Sequence, residues 1–149
     1  MIETNEPFDA TRYAAVLDAL GVRYSTDSDG DLYADWEDMR VWFLAAGERQ
    51  EVLAVRMIWD HRAPAELFEE IVGAVNDWNA NKFWPRGSVA LRDERVVVGA
   101  DLVVDLETGA TDAMIIQQVR CMVGTSIEFT DHLAEAYPQH TEWNRPGTR

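Results

Sequence analysis

Asp27, Asp29 and Asp31 alternate along a single turn, the spacing with which a calcium-binding EF-hand loop opens. Such a loop also needs glycine at its sixth position and a bidentate glutamate at its twelfth; here those positions are Leu32 and Asp38. The flanking segments read as strands, so these aspartates and Gly30 read as turn formers. Glu128, His132 and Glu135 fall on one helical face at i, i+4 and i+7, an arrangement able to hold a divalent metal at a surface. Structural zinc takes four ligands and catalytic zinc three plus water, and no cysteine stands beside this trio, so the face reads as exposed and ion-pairing. Asp60-His61 closes a strand, and a carboxylate next to an imidazole is the pairing that orients a general base. Neighbours on a strand point to opposite faces, so the two do not form a dyad. Ser25, Ser28, Ser88 and Ser126 stand in no nucleophile-elbow or triad context. Cys121 has Gln117, Gln118, Gly124 and Thr125 one helical turn away and no cation or base to stabilise a thiolate, so it reads as a packing residue. Gly99 and Gly109 are isolated and form no phosphate loop. These residues predict no catalytic site, no metal and no cofactor.

Tryptophan points elsewhere. The chain has six, and Trp36, Trp42 and Trp59 lie on or beside hairpin strands, where some must face away from the first helical layer. Trp and Tyr are enriched where surfaces meet partners, and an exposed aromatic patch marks an interface. The last helix adds a second apolar stripe, Ile116, Val123 and Ile127, beside its core stripe. These six residues are the candidate interaction surface.

Bulk properties narrow the partner. With 27 acidic against 13 basic residues the formal net charge is −14. Nucleic acid and anionic membranes bind through clustered Lys and Arg, so both are poor partners. A single cysteine makes no intramolecular disulfide. Met1 to Pro7 lacks the basic and apolar regions of a signal peptide, and no apolar run approaches the ~20 residues that cross a bilayer. The expectation is a soluble cytoplasmic protein. A chain of 149 residues fits one domain. Its expected organisation is a disordered N-terminus over 1–7, a single domain over 8–137 and a flexible tail over 138–149.

Periodicity supplies the elements. A first helix is predicted from Phe8 to Leu20, capped by Gly21. Short strands follow at Val22–Tyr24 and Leu32–Trp36, then a hairpin of Met39–Ala46 with Glu51–Trp59. The hairpin strands are apolar on both faces, which predicts helices over one face and some cover over part of the other. A second helix from Pro64 to Ala80 carries the stripe Leu67, Ile71, Ala74, Val75 and Trp78. After a loop over Asn79–Gly87, Val89–Arg92 pairs with Arg95–Leu106, whose strict alternation sets its register. A long helix then starts from Thr111 as N-cap and ends before Pro138. Hairpin-joined strands and segregated helices make this an α+β fold with an antiparallel sheet packed against helices, in the order α-β-β-β-α-β-β-α.

The run Ala74-Val75-Asn76-Asp77-Trp78-Asn79, followed by Phe83-Trp84-Pro85-Arg86, resembles the signature of the bacterial YbjN family. Leu17 to Tyr24, the Asp29–Leu32 turn and Val41–Leu44 agree with it, and the likeness covers Ala10 to Tyr137. The resemblance implies a fold similar to type III secretion chaperones, often homodimeric, in a family labelled a sensory transduction regulator. It brings no catalytic residues. Within the signature, Trp78 belongs to the core stripe, Asn76 and Asn79 stand where amides fix a helix end or its exit loop, and Trp84 and Pro85 lead to the next strand. The expected function is a non-enzymatic interaction module, homodimeric and binding a protein partner. The alternative is a small-ligand sensor with an aromatic-lined pocket.

Overall fold

A computed structural model describes residues 4–143. Its helices are α1 (Arg12–Ala19), α2 (Phe68–Asn81) and α3 (Asp112–Ala136). Its strands are β1 (Ser25–Thr26), β2 (Leu32–Trp36), β3 (Met39–Ala46), β4 (Val52–Trp59), β5 (Ala63–Pro64), β6 (Arg86–Arg92) and β7 (Arg95–Asp105). All pairings are antiparallel. Gly99 to Asp101 pair with Ile58 to Arg56 on one edge and with Ser88 to Arg86 on the other, so β7 lies between β4 and β6. The two-residue β5 continues the line of β4 after the break at 60–62.

Register assigns every strand residue to a face, because side chains alternate. Leu32, Ala34, Met39, Val41, Phe43, Leu53, Val55, Met57, Val98 and Ala100 point to the face that carries the three helices. Gly87 sits on the same side: a methyl group there would meet Val75 of α2 at 2.6 Å and Phe129 of α3 at 3.0 Å. Tyr13 of α1 anchors this layer, its ring 5.7 Å from Phe43 and its hydroxyl donating to the Leu44 carbonyl at 2.8 Å. Burial holds its phenol far above the ordinary range, against a lesser pull from the Ala54 backbone. None of the three helices lies over the opposite face. On that face Ala54, Val97 and Gly99 are buried and Leu44, Val52 and Ile58 half-buried.

The caps follow the sequence. Gly21 takes a φ of +69°, and the amides of Gly21 and Val22 bond the carbonyls of Asp18 and Leu17, the two-bond pattern that ends a helix on glycine. Using Val22 in this cap delays the first strand from the expected 22–24 to Ser25. The hydroxyl oxygen of Thr111 accepts from the Met114 amide at 3.0 Å, as an N-cap should. The second helix starts later than expected: Pro64 is extended and paired with Arg95, and a 3-10 turn over Ala65–Leu67 leads into α2.

Before Phe8, Glu6 bridges Ala110, and the Arg12 guanidinium donates to the carbonyls of Glu6, Pro7 and Ala110. Phe8 is buried edge-on against Tyr13. After α3, Pro138–Glu142 forms a 3-10 helix, and Trp143 packs against Trp59 and Tyr137. Residues 1–3 and 144–149 of the two expected flexible ends lie outside the described residues.

Candidate interaction surface

The residues around the end of α2 build a clamp. Trp78 is buried, and its indole N–H donates to the Pro85 carbonyl at 3.0 Å. Asn79 bonds Gly87 twice: its side-chain oxygen accepts from the Gly87 amide at 2.8 Å, and its side-chain nitrogen donates to the Gly87 carbonyl at 3.1 Å. Arg86 closes the turn from the other side, donating to the Asn79 carbonyl at 2.9 Å. Asn76 is exposed on the outer side of α2. With both ends of the loop fixed, the residues between are held out in water. Phe83 is 79% exposed and Trp84, joined to Pro85 by a cis peptide, is 50% exposed, with ring centres 5.6 Å apart.

This projection borders a groove of about 370 Å³, whose far wall is Asp101, Leu102, Val103 and Val104, with Arg86 and Gln118 completing it. Four consecutive residues of one strand form that wall, so the groove runs along the edge of β7. The cause is register: β6 pairs β7 only as far as Arg86↔Asp101. Val103, on the outer face beside it, is 55% exposed.

The six residues of the predicted surface do not come together. Trp59 is core, only 1% exposed, because its register partner Met39 places it on the helical face. Trp36 is on that face too, half-buried against the core. Trp42 alone of the three faces outward; Arg40 lies beside it, 5.8 Å from its ring and 4.0 Å from that of Tyr33, while bonding Asp35 through two nitrogens at 2.7 and 3.0 Å. Ile116 and Val123 pack at the margin of the core, and Ile127 is partly exposed. The sequence carries Phe83 only within the family signature, and neither it nor Val103 is among the six residues of the predicted surface. Phe83 lies outside every apolar stripe, and Val103 occupies the outward phase of β7, and those two facts were the available signals.

The reactive candidates fall at separate places in the fold. The carboxylates of Asp27, Asp29 and Asp31 lie within 4.8 Å of one another. Asp27 accepts from the amides of Asp29 and Asp31, both at 2.9 Å, which is a turn device. His61 is buried, its Nε2 3.0 Å from Asp38 rather than from its neighbour Asp60, and its ring meets His140 edge-on at 4.7 Å. Burial pushes the Cys121 thiol up, against a smaller opposing effect of Thr125, so its nucleophilic form is suppressed. Glu128, His132 and Glu135 are exposed beside Trp78 on a shallow groove.

A model of the YbjN family, described as "Putative bacterial sensory transduction regulator", matches residues 9–135. The crystal structure of YbjN from E. coli aligns with a TM-score of 0.75 at 11% identity, over 91% of this chain and 96% of that one. The Yersinia pestis type III secretion chaperone SycH, solved in complex with a stable fragment of YscM2, aligns with a TM-score of 0.45 at 14% identity, over 80% of this chain and 97% of that one. No curated protein matches the sequence.

Proposed function

Because the chain belongs to the YbjN family, we propose that it is a non-enzymatic regulatory module that works as a homodimer and binds a protein partner. The observation that carries this reading is the meeting of Phe83, Trp84 and Val103, all at least half exposed, around an unpaired strand edge. Large apolar side chains standing in water cost about 25 cal/mol per Å² of apolar area left uncovered. The Asn79 clamp keeps them there, which favours a surface completed by another protein. Self-association through this rim suits its apolar character, since obligate interfaces are the more hydrophobic ones. A cytoplasmic location, where a lone thiol such as Cys121 stays reduced, is part of the proposal. The ligand-sensor reading has less support: the groove is open, and Trp36 and Trp59 pack against the core rather than lining a cavity.

Sedimentation equilibrium tests the dimer. A two-subunit mass is expected at micromolar concentration, shifting to one-subunit mass in the double variant Phe83→Ser, Trp84→Ser. A wild-type monomer at high micromolar concentration overturns self-association.

A further inference from the structure

The outward face of the sheet has a charge of its own. Register places Arg40, Arg56, Arg86, Arg92 and Arg95 on it. Against these five arginines stand three strand aspartates, Asp35, Asp101 and Asp105. The strand positions of this face therefore carry five basic against three acidic residues in a chain whose formal charge is −14. Arg40 is already paired with Asp35, the Arg86 guanidinium reaches the Asn79 carbonyl, and the exposed Asp93 and Glu94 stand at the turn between Arg92 and Arg95. The acid sits on the opposite side: α2 carries Glu69, Glu70 and Asp77, and α3 carries Glu128, Asp131 and Glu135, all exposed. Two sides of one small domain thus bear opposite signs, and a partner is oriented by them before contact.

The same face has the chemistry of a binding surface. Trp, Tyr and Arg are the residues over-represented among those that dominate binding energy. Here Tyr33 and Trp42 flank Arg40, and the next cross-strand neighbours of Trp42 are Arg56 and then Asp101 and Arg86. Arginine presents a planar fork of donors that matches a carboxylate, and it is weakly hydrated enough to enter an interface. Every basic residue on this face is arginine, none lysine.

We propose that the outer face of the sheet is the docking surface for the protein partner, and that the partner presents carboxylates to it. Resting on the protein-binding role above, this assigns partner chemistry to a surface next to the dimer rim. Association is expected to weaken as salt rises, because the attraction between exposed charges is screened.

A ¹⁵N-correlation titration of the full chain with a synthetic (Glu-Glu-Leu)₄ peptide tests it. Amide shifts are expected on β3, β4, β6 and β7 outward positions, centred on Trp42, Arg56 and Val97. Arg56→Glu with Arg92→Glu should weaken the peptide by about tenfold, two lost exposed ion pairs. Arg56→Gln with Arg92→Gln, which adds no repulsion beside Asp101, should weaken it less but in the same direction. No shift at millimolar peptide, or shifts confined to the helices, overturns the inference. A response to a uridine oligonucleotide that exceeds the response to the peptide overturns it too, since it assigns the arginines to phosphate. A Phe83-dependent dimer without peptide binding leaves the dimer proposal standing and removes this one alone.

Discussion

Asn79, near the end of α2, holds Gly87 of β6 by two hydrogen bonds of opposite sense, amide to oxygen at 2.8 Å and nitrogen to carbonyl at 3.1 Å. One amide side chain thereby does what a neighbouring strand would do for that peptide unit. It ties the helix to the sheet across the seven residues that include Phe83 and Trp84. Asn79→Ala should cost about 1–3 kcal/mol, two net hydrogen bonds with partly buried partners left behind. Asn79→Asp keeps the acceptor and loses the donor, so it should lose roughly half as much. Urea unfolding decides; equal losses for both variants contradict the two-bond account.

Gly87 is required for a second reason, which is space. A methyl group there would stand 2.6 Å from Val75 Cγ1 and 3.0 Å from Phe129 Cζ. Gly87→Ala should therefore destabilise by about 1–3 kcal/mol through overpacking. Adding Val75→Ala removes the nearer obstruction, so the pair should cost less than the sum of the two single changes. Additive losses in the double-mutant cycle rule out the steric explanation.

The sequence reveals this fold better than its surface, and the reasons are physical. Alternation over 95–106 and the hairpin around Gly47 fix pairing and register, and the Gly21 and Thr111 caps stand where the chain needs them. The α+β class follows, and so does the core role of Trp78. A strand apolar on both faces does not tell which phase meets the helices, and only the pairing with Met39 places Trp59 on the helical side. At the C-terminal turn Gln139, His140 and Thr141 are polar, and the one large apolar ring is that of Trp143. Of the surface residues, Trp42 alone is named for that role by the sequence, while Phe83 and Trp84 enter only through the family signature. The arginine face is not legible there, because opposite charges on the two sides average to −14 in the composition.

Asp31 gives the turn at 27–31 a pH dependence. Partial burial, then the charges of Asp27 and Asp29, raise its carboxyl above the ordinary 3.8. The folded chain therefore holds this proton more tightly than the unfolded chain. The ionised group costs stability in full above the raised value, and that cost fades as pH falls towards 3.8. Asp31→Asn removes the charge and keeps the backbone bonds to Asp27. It should stabilise by about 0.3–0.5 kcal/mol at pH 7, a small figure because solvent screens the turn. Thermal melts at pH 7 and pH 3.5 check this, and a gap between variant and wild type that widens on acidification contradicts it.

Trp143 covers the far end of the core from the rim. Its ring meets Trp59 edge-on at 5.9 Å, and His140 stacks on the same indole at 5.8 Å with its planes 28° apart. His140 is itself fixed through Nδ1, 2.8 Å from the Tyr137 carbonyl. His140 and Trp143, both beyond α3, thus seal a tryptophan that is 1% exposed. A buried Trp→Ala change costs about 3–5 kcal/mol where the surroundings cannot collapse; a chain end relaxes more readily, so Trp143→Ala should cost about 2–3 kcal/mol. The emission of Trp59 should shift to longer wavelength as water reaches it. His140→Ala, which removes the stacked ring and leaves Trp143 in place, should produce a smaller shift in the same direction. If Trp143→Ala leaves both stability and emission unchanged, the 3-10 turn is an ornament on α3 and the core closes without it.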